Sequence, residues 1–264
     1  MIEPTREFYL REGLTVALFG KETGNWNPSA FRETPRPEAN LGLYHRLDNF
    51  RTTFYLNMVV IPNASAFSQR VLKGYDHEFV SFGRPGEITV RQGANADGVF
   101  LFRDQGCGIA TGDCPTIVVY HRSAHLAIAA HAGTKSLFGS EPVLNGSKPD
   151  SVVDTIARVW PTWGLGGLRD AGVFVTCGIS ALNYEYPELV DHVSNRFGKA
   201  CVNGKGIDLR LIIARMFERC GVQHITVDTI DTYGDTNPTT KESLWHSYRR
   251  DHTKERNLVL VVNR

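Results

Sequence analysis

No stretch of the 264-residue chain approaches the roughly eighteen apolar residues that a membrane-spanning helix needs, so no membrane anchor is expected. Charge of one sign is missing too: 29 Lys and Arg stand against 28 Asp and Glu, which excludes a protein that grips nucleic acid by bulk positive charge. The first residues, Met1-Ile2-Glu3-Pro4, carry an acid and a proline where a secretory signal needs basic and then apolar residues. The five cysteines are an odd number, unevenly spread and without a CxxC pair, so they make a poor disulfide framework and read as reduced thiols of a cytoplasmic protein. No GxxxxGK[ST] phosphate loop occurs, and the glycines of Gly164-Leu165-Gly166-Gly167 follow a helical pattern rather than a strand, so they read as a turn and not as a dinucleotide fingerprint.

What is present is a globular alternation of strand and helix patterns. Residues 1–41 are expected to be an irregular N-terminal segment, with the polar stretch 21–41 holding three prolines. Residues 50–62 are dense in apolar side chains and ambiguous between helix and strand. Strands are predicted at 88–91, 98–102, 115–120, 126–131, 173–178, 222–227 and 258–262 from their β-branched and aromatic residues. Helices are predicted from an Asp150 or Ser151 cap to Trp160, over 187–197 with Pro187 in the first turn and Gly198 at the end, and over 207–220 with Gly221 as the stop. The elements do not form a regular βαβ series, and the centre has hairpin character. An α+β architecture follows, within one domain spanning 1–264, because the Gly/Pro-rich loop 139–150 has similar patterns on both sides.

One constellation stands out chemically. Cys114 lies between Asp113 and Pro115 just before a strand, and His131 closes the next strand before Ala132-Gly133. The loop His121-Arg122-Ser123-Ala124-His125 suits a hairpin, and in an antiparallel register Cys114 and His131 would meet at one sheet edge. A thiolate beside an imidazole can be a nucleophile with its base, two metal ligands, or an ordinary core pair. The spacing alone leaves all three open.

Gly112-Asp113-Cys114-Pro115, followed by Ala129-Ala130-His131-Ala132-Gly133, resembles the signature of the YfiH-like laccase-domain proteins, the purine nucleoside phosphorylases formerly called multicopper polyphenol oxidases. The likeness continues in order over most of the chain. Asn40-Leu41-Gly42-Leu43 is similar to the family's early segment, Tyr75-Asp76-His77-Glu78 to its histidine motif, Ala94-Asn95-Ala96-Asp97-Gly98 to the segment before the cysteine, and Ser247-Tyr248-Arg249-Arg250-Asp251 to its late SxRRD motif. The resemblance implies mixed β-sheets packed as a sandwich with flanking helices. It also implies a zinc ion on His77, Cys114 and His131 with a fourth position open, the catalytic form of a zinc site. The implied activities are phosphorolysis of adenosine, inosine and methylthioadenosine and hydrolytic deamination of adenosine, with nucleoside and phosphate as the only partners and a monomer or homodimer as the assembly.

The substrate shell departs from the family pattern. Thr134-Lys135-Ser136 stands where the family has Trp-Arg-Gly, and Lys135 keeps a charge without the planar guanidinium fork. Asn57-Met58 replaces an Asn-Arg pair, Glu78 a glycine, and Asp231-Thr232 a Cys-Thr pair. Asn40, Lys135, Arg249 and Arg250 are the candidate substrate contacts; Tyr184, Trp245 and Tyr248 could stack on a purine or belong to the core. Three other readings compete: a copper-dependent polyphenol oxidase, a metal-free hydrolase in which Cys114 attacks and His131 is the base, and an inactive binding homologue.

Overall fold

A computed structural model describes residues 3–27, 53, 55–62, 71–72, 79–80, 90–92, 96–139, 150–164 and 166–264. Two strands open the chain, β1 (Arg6–Arg11) and β2 (Leu14–Phe19), turning at Gly13, whose φ of 75° suits a tight reversal. This corrects the expectation of an irregular N-terminal segment over 1–41: β2 is buried along its whole length, apolar at every position but Thr15 rather than alternating. Then come β3 (Met58–Ile61), β4 (Val71–Leu72), β5 (Phe79–Val80), β6 (Val90–Gln92), β7 (Gly98–Leu101), β8 (Gln105–Thr111), β9 (Thr116–His121) and β10 (Ala127–His131). The second half holds α1 (Thr134–Phe138), α2 (Val152–Val159), β11 (Ala171–Thr176), α3 (Pro187–Phe197), β12 (Val202–Asn203), β13 (Gly206–Ile207), α4 (Leu209–Arg219), β14 (His224–Val227), α5 (Tyr248–Asp251) and β15 (Asn257–Asn263).

The strands assemble into two mixed sheets and a small ribbon. One sheet has the order β1-β2-β15-β8-β3-β6-β5, the other β14-β11-β9-β10-β7-β4, and β12 pairs with β13. Alternation along the central strands shows how they stack. Val118, Ala127, Ala129 and Phe174 face the first sheet and pack with Val16, Leu18, Ile109, Val259 and Val261. Their neighbours Ile117, Val119, Ile128, Val173 and Val175 face the other way, onto Ile156 of α2, Val193 of α3 and Ile212, Ile213 and Phe217 of α4. The second sheet is therefore buried on both faces, by a sheet on one side and by helices on the other, the arrangement of an α+β sandwich with flanking helices. Each fully buried Val, Leu or Ile in these layers contributes roughly 1.5–3 kcal/mol relative to exposure.

Two crossings matter for the site. The turn 112–115 carries the chain from β8 in the first sheet to β9 in the second, and α5 leads back into β15 of the first. Both lie at the same end of the sandwich, because β8 and β15 are antiparallel with Thr111 opposite Asn257. Among the described residues no helix is long and apolar enough to cross a membrane.

Candidate active site

The β9–β10 pairing sets Thr116 opposite His131. Cys114, two residues before Thr116, is thereby brought beside the ring of His131, close enough for its charge to act on the imidazole. The backbone of Cys114 is held from its own turn: the Thr111 hydroxyl donates to the Cys114 carbonyl at 2.6 Å. A Cβ built on Gly133 would lie 3.0 Å from Cys114 Sγ, 3.1 Å from His131 Cε1 and 3.5 Å from His131 Nε2. The missing side chain leaves a cradle where sulfur and imidazole converge.

Asp97 orients the histidine. It precedes β7, which pairs with β10 so that Gly98 faces Ala130, and it is fully buried. Its carbonyl accepts the His131 N–H at 2.7 Å, and its carboxylate Oδ1 stands 3.4 Å from His131 Nδ1. The second contact occupies Nδ1 and leaves Nε2 as the ring nitrogen available to a metal, the way carboxylates orient metal-ligating histidines. Burial opposes a charged His131, but the Cys114 and Asp97 charges outweigh it and lift the imidazole to about 10. Sulfur and imidazole together form a donor set suited to zinc or copper. His77, the third ligand implied by the resemblance, lies outside the described residues, among which no group of three His, Cys, Asp or Glu side chains could hold a metal ion.

Cys114 and His131 form part of the wall of a cavity of about 840 Å³. Its other walls include Lys135 of α1, Tyr184, Tyr186, Tyr233, and Tyr248, Arg249 and Arg256 around α5. The Arg249 guanidinium stacks on two rings at once, 4.4 Å from the centroid of Tyr184 and 4.7 Å from that of Tyr186. It has no carboxylate partner among the described residues. Thr134 and Tyr184 share a hydroxyl hydrogen bond of 2.9 Å, and burial, reinforced by the Cys114 charge, pushes the Tyr184 phenol well above its usual range.

The structure separates the two adjacent arginines. Arg249 lines the cavity, whereas the Arg250 guanidinium is committed to the carbonyls of Thr232, Tyr233 and Trp245 and to the Asp251 carboxylate, away from the cavity wall. Arg250 thus ties loops together rather than facing a substrate. Asn40 lies outside the described residues. Trp245 is wholly buried between the sheets, while Tyr248, 54% exposed, stands at the cavity rim. Sequence reasoning missed Tyr186 and the orienting role of Asp97; the one available signal was an acid placed immediately before a strand.

The model of the family described as multi-copper polyphenol oxidoreductase laccase matches residues 77–263. The chain is similar in structure to YlmD from Geobacillus stearothermophilus, with a TM-score of 0.66 at 17% identity, covering 96% of this chain and 92% of that one. Bacillus licheniformis hypothetical protein YfiH gives 0.65 at 15% identity, covering 96% and 94% of the two chains. Neisseria meningitidis protein NMB0706 gives 0.60 at 17% identity, covering 95% and 94%. No curated protein matches the sequence.

Proposed function

The chain belongs to the multi-copper polyphenol oxidoreductase laccase family, and from that premise we propose that it is a zinc-dependent purine nucleoside phosphorylase with adenosine deaminase activity. The observation that carries the reading is the convergence of Cys114 and His131 on a cavity walled by tyrosines and a stacked arginine. Its volume falls in the range of small-molecule sites, roughly 300–1,000 Å³. In this reading Cys114 and His131 hold zinc together with His77, and Asp97 fixes the ring of His131. Zinc, when bound, supplies a Lewis acid or an activated water near neutral pH.

Phosphorolysis breaks the ribose–purine C–N bond, forms a C–O bond to phosphate and delivers a proton to the leaving base. The phosphate must be held by cations within reach of the ribose. Arg249 meets that need: among the described residues no carboxylate neutralises its charge, and stacking on Tyr184 and Tyr186 occupies the faces of the guanidinium rather than its in-plane N–H groups. Lys135 adds a second positive charge to the wall. Tyr184, Tyr186 and Tyr248 offer faces for a purine.

A second reading is favoured by a specific contact. Cys114, His131 and Asp97 stand in the order of nucleophile, base and orienting carboxylate, which suits a metal-free thiol hydrolase. Metal analysis and product chromatography decide between them. The purified protein is expected to carry stoichiometric zinc that is lost in Cys114→Ala, and to convert inosine to hypoxanthine only with phosphate. Intact nucleosides in every condition from zinc-loaded protein would refute the proposal. Ester hydrolysis surviving complete metal removal would establish the second reading, and copper with phenol-dependent oxygen uptake would establish an oxidase.

A further inference from the structure

We propose that Asp113 is a positioning residue that holds Arg249 in place for phosphate, coupling the anion side of the cavity to the turn that carries Cys114; the inference rests on the phosphorylase reading of this site. Asp113 is 6% exposed, and both of its oxygens are used. Oδ2 accepts the main-chain N–H of Arg249 at 2.8 Å, across 136 positions of sequence, and Oδ1 accepts the Thr232 hydroxyl at 3.1 Å.

The first of these bonds does something the helix cannot do for itself. Helix α5 is a single turn, and its N-cap Ser247 spends its hydroxyl on the N–H of Arg250. The N–H of Arg249, one residue earlier, has no partner within the turn. Asp113 supplies it. The backbones also meet closely here, since a Cβ on Gly112 would lie 3.4 Å from the Tyr248 nitrogen and 3.5 Å from its Cβ. A one-turn helix of exposed and half-buried residues has no core of its own to fix its tilt. The carboxylate therefore sets where the Arg249 side chain leaves the backbone, and with it the stack on Tyr184 and Tyr186.

The same residue adjoins Cys114, whose carbonyl is held by Thr111. Thr232 extends the connection, since its hydroxyl lies 3.1 Å from both Asp113 Oδ1 and the Gly178 carbonyl. Asp113 is thus tied to the loop after β11 as well as to α5. Asp113 borders the cavity, but both of its oxygens are already taken by Arg249 and Thr232, so it acts through Arg249 rather than by touching phosphate.

A double-mutant cycle on the zinc-loaded full chain tests this, reading the affinity for inorganic phosphate by calorimetry and the KM for phosphate and for inosine separately. Asp113→Asn replaces one acceptor oxygen by a donor and is expected to weaken phosphate binding roughly tenfold, the scale of one hydrogen bond to a charged group. The KM for inosine and the zinc content should stay near wild type. In the Arg249→Ala background the same substitution should change phosphate affinity little, because the group through which it acts is gone. Thr232→Val, which removes only the other partner of Asp113, should show a smaller loss with the same dependence on Arg249. An equal loss in both backgrounds, or parallel rises in both KM values, would make Asp113 merely structural and overturn the proposal. Wild-type protein that fails to bind phosphate would overturn it as well. Phosphate binding with nucleosides left intact would instead remove the phosphorylase reading while leaving the coupling of Asp113 to Arg249 measurable.

Discussion

At Gly133 a hydrogen stands where any other residue would put a carbon between the sulfur of Cys114 and the ring of His131. The backbone there is ordinary, with φ −75° and ψ 171°, so an alanine suffers no conformational strain. The conflict is confined to the contacts of 3.0 Å with Sγ and 3.1 Å with Cε1. Gly133→Ala is therefore expected to fold with a near wild-type melting temperature while losing zinc affinity on the order of tenfold or more, the scale on which disturbed neighbours of metal ligands act. Competition with a chelator measures the affinity, and unchanged binding would show that the metal does not use this cradle. Much of this corner was legible in the sequence, because a cysteine before one hairpin strand and a histidine at the end of the next can meet in only one register. The arginines were not. Residues adjacent on a helix turn point to different sides, and nothing local says that Arg249 meets two tyrosines some sixty positions away while Arg250 serves three carbonyls.

Elements with self-contained signals were the readable ones. Pro187 opens α3 and Gly198, at φ 100°, ends it, and Ser151 caps α2 through a reciprocal pair in which its hydroxyl accepts the Asp154 N–H and Asp154 accepts the Ser151 N–H, each at 3.0 Å. That pair predicts a cost. Ser151→Ala should destabilise the protein by about 1 kcal/mol, a fall of about 2–4 °C in melting temperature for a chain of this size. Calorimetry checks it, and no shift would mean that packing of Val152, Val153 and Ile156 fixes the helix without its cap. Strand β8 was unreadable for the opposite reason. Gln105-Gly106-Cys107-Gly108 has no strand propensity to speak of, and its place is imposed by β15 along seven consecutive pairs. A Cβ at Gly106 would lie 2.8 Å from the end of the Leu56 side chain, so a larger residue there asks Leu56 to shift. The N-terminal hairpin was obscured by the polar ends of β1, and it becomes a strand pair only through β2, which β15 covers on its other side.

At the scale of the whole molecule, the half-buried carboxylate of Asp228 carries a cost that pH should expose. Asp228 follows β14, the strand that runs parallel to β11 at the edge of the second sheet, and it accepts hydrogen bonds from the Thr176 hydroxyl and the Ile230 N–H. Burial nevertheless prevails over these bonds and over the nearby Arg210 charge, and lifts the acid from 3.8 to about 6. Arg210 does not neutralise it because its guanidinium is taken by both oxygens of Asp208 and by the Ile230 carbonyl. The sign follows from proton counting. Between about pH 4 and pH 6 the unfolded chain has released this proton while the folded protein keeps it, so the contribution of Asp228 to stability is greatest below pH 4 and declines as pH rises through 6. The slope is at most about 1.4 kcal/mol per pH unit over about two units, discounted for partial solvent contact. Asp251, held well below the usual carboxylate range by Arg250 and Lys21, acts in the opposite direction and loses its contribution as pH falls. The wild-type profile mixes the two, so the measurement is a difference. Asp228→Asn, which has nothing to ionise, should gain stability relative to wild type as pH rises from 4 to 6 and hold that gain at pH 7. Urea unfolding at pH 4, 5, 6 and 7 reads it directly, and a constant difference at all four values would mean that Asp228 titrates alike in the folded and unfolded chain.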